Sequence, residues 1–410
     1  MIMQKYVARD EYLDFLKRHQ DKKVIKVVSG IRRSGKSTLF LLFREYLRKN
    51  GVSNDQIITL NFEDMANEPL RDPHRLYDYL QNKLLPDKMN YIFLDEIQHV
   101  HDFEKVVDSL FIKDKVDLYL TGSNAYFLSG EIATLLTGRY VQLNMLPLSF
   151  KEFVEWHKQN DLFTDRADMF NKYLQSSFPY TLYTLFTSDD LERMEYLRGI
   201  YSTIVLTDIV TRLKVRDVPV LERVIRTLFN DIGSPISIKK IANTLQSHYY
   251  SADNKTINRY LNGILESLLM YEAKPYDIHG REIVRSNSKY YVVDPGLRQL
   301  LLPDYQEDYG HIIENIVYLE LKQRYLNFYV GQTSKLEVDF VALNNRNETR
   351  YFQVALTTLD ENVLARELRP LKEIRDSYPK YLLTMNTFNK DANYDGIQKK
   401  NILDWLLEKD

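Results

Sequence analysis

The stretch Gly30-Ile31-Arg32-Arg33-Ser34-Gly35-Lys36-Ser37 follows directly on the apolar run "VIKVV". The whole chain of 410 residues holds only 14 glycines, yet two of them fall within these eight positions. The pattern is G-x-x-x-x-G-K-[ST], the phosphate-binding P-loop. Each residue type has a physical task in it. The glycines let the backbone turn tightly and bring its N–H groups close to phosphate oxygens. A helix starting near Lys36 aims its positive dipole end at the same anion. Lys36 reaches the β- and γ-phosphates, and Ser37 offers its hydroxyl to Mg²⁺. Arg32 and Arg33, in the variable part of the loop, add positive potential. The expected nucleotide-binding set is Gly30, Ile31, Arg32, Arg33, Ser34, Gly35, Lys36, Ser37 and Thr38.

The loop sits in a regular alternation. Short apolar runs, "VIKVVS" (24–29), "IITLNFE" (57–63), "YIFLDE" (91–96), "VDLYLTGS" (116–123) and "RYVQLNML" (139–146), are separated by helical patterns, the last of them "EIATLLTG" (131–138). Runs of four to eight apolar residues bounded by polar turns are strands buried on both faces. Their alternation with helices predicts a parallel sheet covered by helices, with ligands at the carboxyl ends of the strands. A nucleotide site of this kind needs a carboxylate for Mg²⁺ at the end of a neighbouring strand. "YIFLDE" supplies Asp95 for the metal and Glu96 to accept a proton from the attacking water or to orient it. After "VDLYL", Asn124 or Ser123 could touch the γ-phosphate or the water, or simply cap a turn. Arg139 follows a glycine at the mouth of the last strand. Its guanidinium could reach phosphate charge in its own site or a neighbour's, or form a structural salt bridge.

The combination "GIRRSGKST", "YIFLDEIQ", "LYLTGSN" and "LTGRYVQLNMLPLSFKEF" resembles the AAA-type ATP-binding proteins of the archaeal ATPase superfamily, which carry a C-terminal winged-helix and nuclease-like region. The resemblance implies an α/β fold whose P-loop NTPase sheet is followed by a helical segment, a winged helix and a restriction-nuclease-like α/β domain. It implies ATP rather than GTP, and no [NT]KxD guanine signature follows the P-loop. "MQKYVARDEYL" is similar to the family's N-terminal approach to the nucleotide, which would place Tyr6 and Arg9 near the base.

Beyond residue 150 the patterns change. "SFKEFVEWHKQ" opens a helical stretch over 151–235, similar to the family's helical lid and including "YSTIVLTDIVTR". Where the family shows a glycine pair before "FP", this chain reads "SSFPY". Residues 236–302 read as a winged helix-turn-helix. "ISIKKIANTL" is followed by a helix with apolar Ile257, Leu261, Ile264, Leu265 and Leu268. The opposite face carries Lys255, Asn258, Arg259 and Asn262. The runs "YEAKPYD" and "KYYVVD" would form the wing. This segment has nine Lys and Arg against six Asp and Glu, an excess that fits DNA contact through residues 255–262 and the wing no better than protein contact. Residues 303–410 resemble a nuclease: Glu314 on a helix, Asp339 on a strand, then Gln353 where the next strand carries its acid or amide. The lysine that would activate a hydroxide is replaced by Ala355. Lys335 is the nearby substitute, and a degenerate, non-cutting domain is expected.

The first domain is thus expected at 1–150. With a net charge of −2, the chain has no global attraction to nucleic acid or anionic lipid, so any basic surface must be local. It has no cysteine, which excludes disulfides and thiolate metal sites. No apolar run reaches the ~18 residues of a membrane span, and a cytoplasmic protein is expected. Three functions fit: a Mg²⁺-dependent ATPase that rearranges its C-terminal domains, an ATP-gated switch with little turnover, and an ATP-dependent nuclease. An arginine acting between subunits would require an oligomer.

Overall fold

The computed structural model describes residues 6–125, 136–184, 190–284, 287–303, 308–333, 336–344 and 348–408. The chain divides into two compact units. The first comprises residues 1–147 together with 178–187 and 266–268.

In the first unit the strands are β1 (Ile25–Ser29), β2 (Ile57–Asn61), β3 (Asn90–Asp95), β4 (Val116–Gly122) and β5 (Tyr140–Asn144). They form one sheet in the order β2-β3-β4-β1-β5, parallel throughout. The helices are α1 (Asp10–His19), α2 (Lys36–Lys49), α3 (Pro73–Lys83) and α4 (Phe103–Phe111). Alternation within the strands feeds two cores. Ile25, Val27, Ile92, Leu94, Leu118 and Leu120 pack on one face with residues of α3 and α4. Val28, Tyr91, Phe93 and Tyr119 pack on the other with Leu39, Phe40, Phe43 and Leu47 of α2 and Tyr12 and Leu16 of α1. Burial on both faces is why the inner strands β1, β3 and β4 read as nearly unbroken apolar runs, whereas the edge strands β2 and β5 are only partly buried. The exception is Lys26, fully buried in β1, which is ion-paired with Asp117 of β4. Most of the helix expected at "EIATLLTG" lies outside the described residues.

The second unit comprises 148–177, 188–265 and 269–410. It begins with helices α5 (Phe150–Gln159), α6 (Arg166–Gln175) and α7 (Asp190–Thr203), the last running into a π-helical stretch at Ile204–Thr211. Then follow α8 (Val218–Asn230), α9 (Ile238–Ser247) and α10 (Asn254–Glu266). The chain then makes β6 (Met270–Ala273), β7 (Pro275–Asp277), β8 (Glu282–Ile283) and β9 (Lys289–Val292). After α11 (Pro295–Leu301) and α12 (Tyr309–Arg324) come β10 (Asn327–Gln332), β11 (Glu337–Leu343) and β12 (Thr349–Ala355). The chain ends with α13 (Glu361–Glu373), β13 (Lys380–Thr384), β14 (Asn393–Tyr394), β15 (Ile397–Asn401) and α14 (Ile402–Leu407).

The expected wing is divided between two sheets. β6 and β9 pair antiparallel with each other. β7 instead joins β10 in parallel and brings β8 with it, extending a mixed sheet of order β14-β15-β13-β12-β11-β10-β7-β8. The ladder therefore crosses the boundary drawn at residue 302. The physical cause lies in the run "YEAKPYD": Pro275 has no N–H, and the residue before a proline is pushed toward extended backbone. The chain leaves its partner β9 there and continues as a strand of the neighbouring sheet.

Candidate nucleotide site

Because β2, β3, β4 and β1 are parallel and in register, their carboxyl ends lie along one edge. Asn61 is level with Asp95, and Ser29 with Gly122. The residues just beyond these ends are Glu63, Glu96, Ser123 and Gly30. The sheet therefore delivers the P-loop and the two motif acids to the same place.

The loop's shape requires its glycines. A Cβ on Gly30 would stand 2.3 Å from the carbonyl oxygen of Met145, which is backbone and has little room to move. Gly35 has φ 101°, in the left-handed region that L side chains avoid. Arg33 takes φ 67° and Glu96 φ 54°, two non-glycine residues held in the same sparsely populated region. Arg9 braces the loop from behind. It is buried, with its guanidinium over the Tyr12 ring, and donates to the carbonyls of Ser34 (3.1 Å) and Leu146 (2.8 Å). Arg9 thus grips main chain beside the loop, and Tyr6 is exposed.

Lys36 is buried. Its ammonium donates to the carbonyls of Gly30 (3.0 Å) and Ile31 (3.3 Å) and to Ser123 Oγ (2.8 Å), and lies 3.4 Å from Glu96 Oε1. Ser123 Oγ in turn donates to Glu96 Oε1, and Gln98 Nε2 donates to Glu96 Oε2. Burial works to raise the pKa of Glu96, but Lys36, helped by these two hydrogen bonds, holds it below the ordinary glutamate range. Burial pushes Asp95 upward, against hydrogen bonds from Ser37 and Thr121. The hydroxyl that meets both Lys36 and Glu96 is thus Ser123's, one residue before the buried Asn124.

Arg139 stands at the other end of the sheet. Its carbonyl accepts from Ile25 N–H at the amino end of β1, and its guanidinium pairs with Asp108 of α4. Five residues of β1 separate that edge from the P-loop, about 16 Å. The expectation that Arg139 reaches phosphate charge in its own site is therefore corrected. The mouth of a parallel strand is its amino end, whereas ligands gather at the carboxyl ends.

The loop fits a magnesium–triphosphate complex. Ser34 Oγ is buried with no hydrogen-bond partner. The amino end of α2 has neither a side-chain cap nor an acid in its first turn. That terminus offers N–H donors and positive potential to an anion. Asp95 and Ser37, already hydrogen-bonded to each other, are hard oxygen donors of the kind Mg²⁺ takes.

Residues 22–154 match the family described as an AAA domain, and residues 166–308 match a domain of unknown function. An uncharacterized protein of Haemophilus influenzae is 37% identical over 98% of this chain and 99% of its own length. The chain belongs to its family. A second uncharacterized relative, from Methanocaldococcus jannaschii, is 31% identical, covering 86% of this chain and 79% of its own. Among solved structures, a Walker-type ATPase of Pyrococcus abyssi covers 72% of this chain and 95% of its own, with a TM-score of 0.51 at 13% identity, a likeness of fold. The first unit is an AAA-type P-loop domain.

The second unit holds its own charged cluster. Glu314 of α12 and Asp339 of β11 are brought together, with Gln353 beside Asp339 across the β11–β12 ladder. The cation among them is Lys289 of β9, which the sequence did not single out. Its ammonium lies 3.1 Å from Glu314, 2.7 Å from Glu337 and 4.0 Å from Asp339. Burial would lower its pKa, yet these carboxylates hold it above the usual lysine range. Burial and the neighbouring Glu314 push Asp339 well up. Ala355 follows at the end of β12, and Lys335 lies outside the described residues. On α10, Lys255, Asn258, Arg259 and Asn262 are all exposed, while Ile257, Leu261 and Ile264 are buried. No helix among the described residues is long and apolar enough to cross a membrane.

Proposed function

We propose that this protein binds ATP with Mg²⁺ at its P-loop and hydrolyses it to ADP and phosphate. The observation that supports this is the chain of contacts Lys36–Ser123–Glu96 beside the Ser37–Asp95 pair, at an uncapped helix amino terminus. In this reading the loop amides and Lys36 hold the phosphates, Lys36 exchanging loop carbonyls for phosphate oxygens. Ser37 and Asp95 hold Mg²⁺, which neutralises phosphate charge. Glu96, kept ionised by Lys36, orients the attacking water or takes its proton. Ser123 fixes the Glu96 carboxylate in place. Asn124 remains a proposed contact to the γ-phosphate, and Arg139 has no part in its own chain's site.

Glu96→Gln tests the catalytic half. It should bind ATP as the parent does and hydrolyse it at least ~10²-fold more slowly. Turnover equal to the parent's would remove Glu96 from the mechanism. Unchanged, very slow turnover in both proteins would favour an ATP-gated switch.

We further propose that nucleotide turnover is coupled to the second unit, which engages nucleic acid or a protein partner through residues 255–262. Its acid cluster is read as non-cutting, because Ala355 stands where the nuclease pattern calls for a lysine to activate hydroxide. Metal-dependent cleavage of plasmid DNA, lost in Asp339→Ala, would contradict that reading.

A further inference from the structure

Glu96 has two neighbours for which the hydrolysis of ATP has no evident use. Glu63 stands two residues beyond β2, and His99 three residues beyond Glu96. One ligand atom from each of Glu63, Glu96 and His99 lies within 4.8 Å of the other two. His99 Nε2 is buried without a hydrogen-bond partner, as is Oε1 of the preceding Gln98. Native interiors contain few such orphans, and an imidazole nitrogen without a hydrogen-bond partner is open to a metal ion. Glu63 meets Arg32 through Oε1 at 2.9 Å, and its side chain is half exposed, so it has room to swing inward.

The donor set indicates which cation. Mg²⁺ prefers six oxygens and dehydrates reluctantly, so an imidazole ligand disfavours it. Two carboxylates and one imidazole suit a borderline divalent ion that accepts four-coordinate geometry, with water as the fourth ligand. Ligand bonds of about 2.0–2.2 Å place tetrahedral donors about 3.4 Å apart, so closing from 4.8 Å requires shifts of about 1 Å. The chain has no cysteine, so no thiolate competes for the ion.

We propose that Glu63, Glu96 and His99 form a binding site for a divalent transition-metal ion such as Zn²⁺, separate from the Ser37–Asp95 magnesium position, and that occupancy inhibits turnover by engaging the Glu96 carboxylate. The inhibitory half rests on the ATPase reading, and the binding half does not.

Zn²⁺ binding to the nucleotide-free full-length protein, measured by competition with a chromogenic chelator, tests the site directly. One ion per chain is expected, with affinity at least tenfold weaker in His99→Gln and in Glu63→Gln. His101→Gln, at the neighbouring exposed imidazole, should bind as the parent does. Saturating Mg·ATP turnover should fall with added Zn²⁺ in the parent and stay flat in His99→Gln. No zinc bound by the parent, or equal affinity in both the His99 and Glu63 variants, would overturn the proposal. Zinc bound with the expected ligand dependence but without any inhibition would overturn its regulatory half. A parent with no turnover at all would remove the ATPase reading and leave the binding result to decide the site.

Discussion

Ser123 places one hydroxyl between Lys36 and Glu96, accepting from the first and donating to the second. Loss of that hydroxyl leaves the P-loop intact but lets the carboxylate move. Ser123→Ala should therefore keep ATP affinity within a few-fold and lower turnover about 10²-fold, the effect of removing one preorganised active-site donor. Steady-state kinetics beside equilibrium binding separates the two quantities, and unchanged turnover would assign Ser123 a structural role. Arg9 acts one layer farther out. Arg9→Ala removes charge-assisted hydrogen bonds to the carbonyls of Ser34 and Leu146 and should cost about 2–3 kcal/mol in denaturant unfolding of the first unit. The convergence of Lys36, Asp95 and Glu96 was legible in the sequence because the loop and the strand ends follow a fixed spacing. Arg9's grip, the orphaned His99 nitrogen and Lys289 were not, because each depends on what folding packs against it. Lys289 left one signal only, a lysine opening the otherwise apolar run "KYYVVD".

Among the elements, β1 is held by more than apolar contact. Lys26 and Asp117 are both buried, and Asp117 also accepts from Tyr119 Oη (2.7 Å) and from the Asp21 N–H (2.9 Å). Burial lowers the pKa of Lys26 and raises that of Asp117 against their mutual attraction, so each charge depends on the other. Asp117→Ala alone should cost about 3–5 kcal/mol by leaving an ammonium uncompensated in the core. The double change Lys26→Met with Asp117→Leu should cost far less. Chemical denaturation of the parent and the two variants checks this, and a double variant that loses as much stability as Asp117→Ala would contradict it. The inner strands β1, β3 and β4 were readable from the sequence because burial on both faces leaves continuous apolar runs, and the edge strands β2 and β5 from runs that are only partly buried. The wing was read less well. Local pattern finds two strands in "YEAKPYD" and "KYYVVD", but which sheet a strand joins is decided by long-range pairing, here of β7 with β10.

At the scale of the whole molecule, the first unit is not a contiguous piece of chain. Residues 178–187 and 266–268 belong to it, with Phe178 and Leu182 buried and the Ala125 N–H donating to the Glu266 carbonyl at 2.8 Å. The short helix Pro179–Thr184 brings Pro179 near Gly35 of the P-loop. A boundary at residue 150, natural from the sequence alone, therefore cuts the unit. A protein truncated after residue 150 should melt at least several degrees below the first transition of the full chain and bind nucleotide more weakly. Equal melting and affinity would mean the returning segments contribute nothing. On the proposed function, the glycine-bracketed turn between β1 and α2 grips a magnesium–triphosphate complex. Isothermal titration of Mg·ATP into the full-length protein tests it most directly. Saturable binding of one nucleotide per chain, abolished by Lys36→Ala, is the predicted result; no heat of binding in the parent, or equal binding in Lys36→Ala, would contradict it.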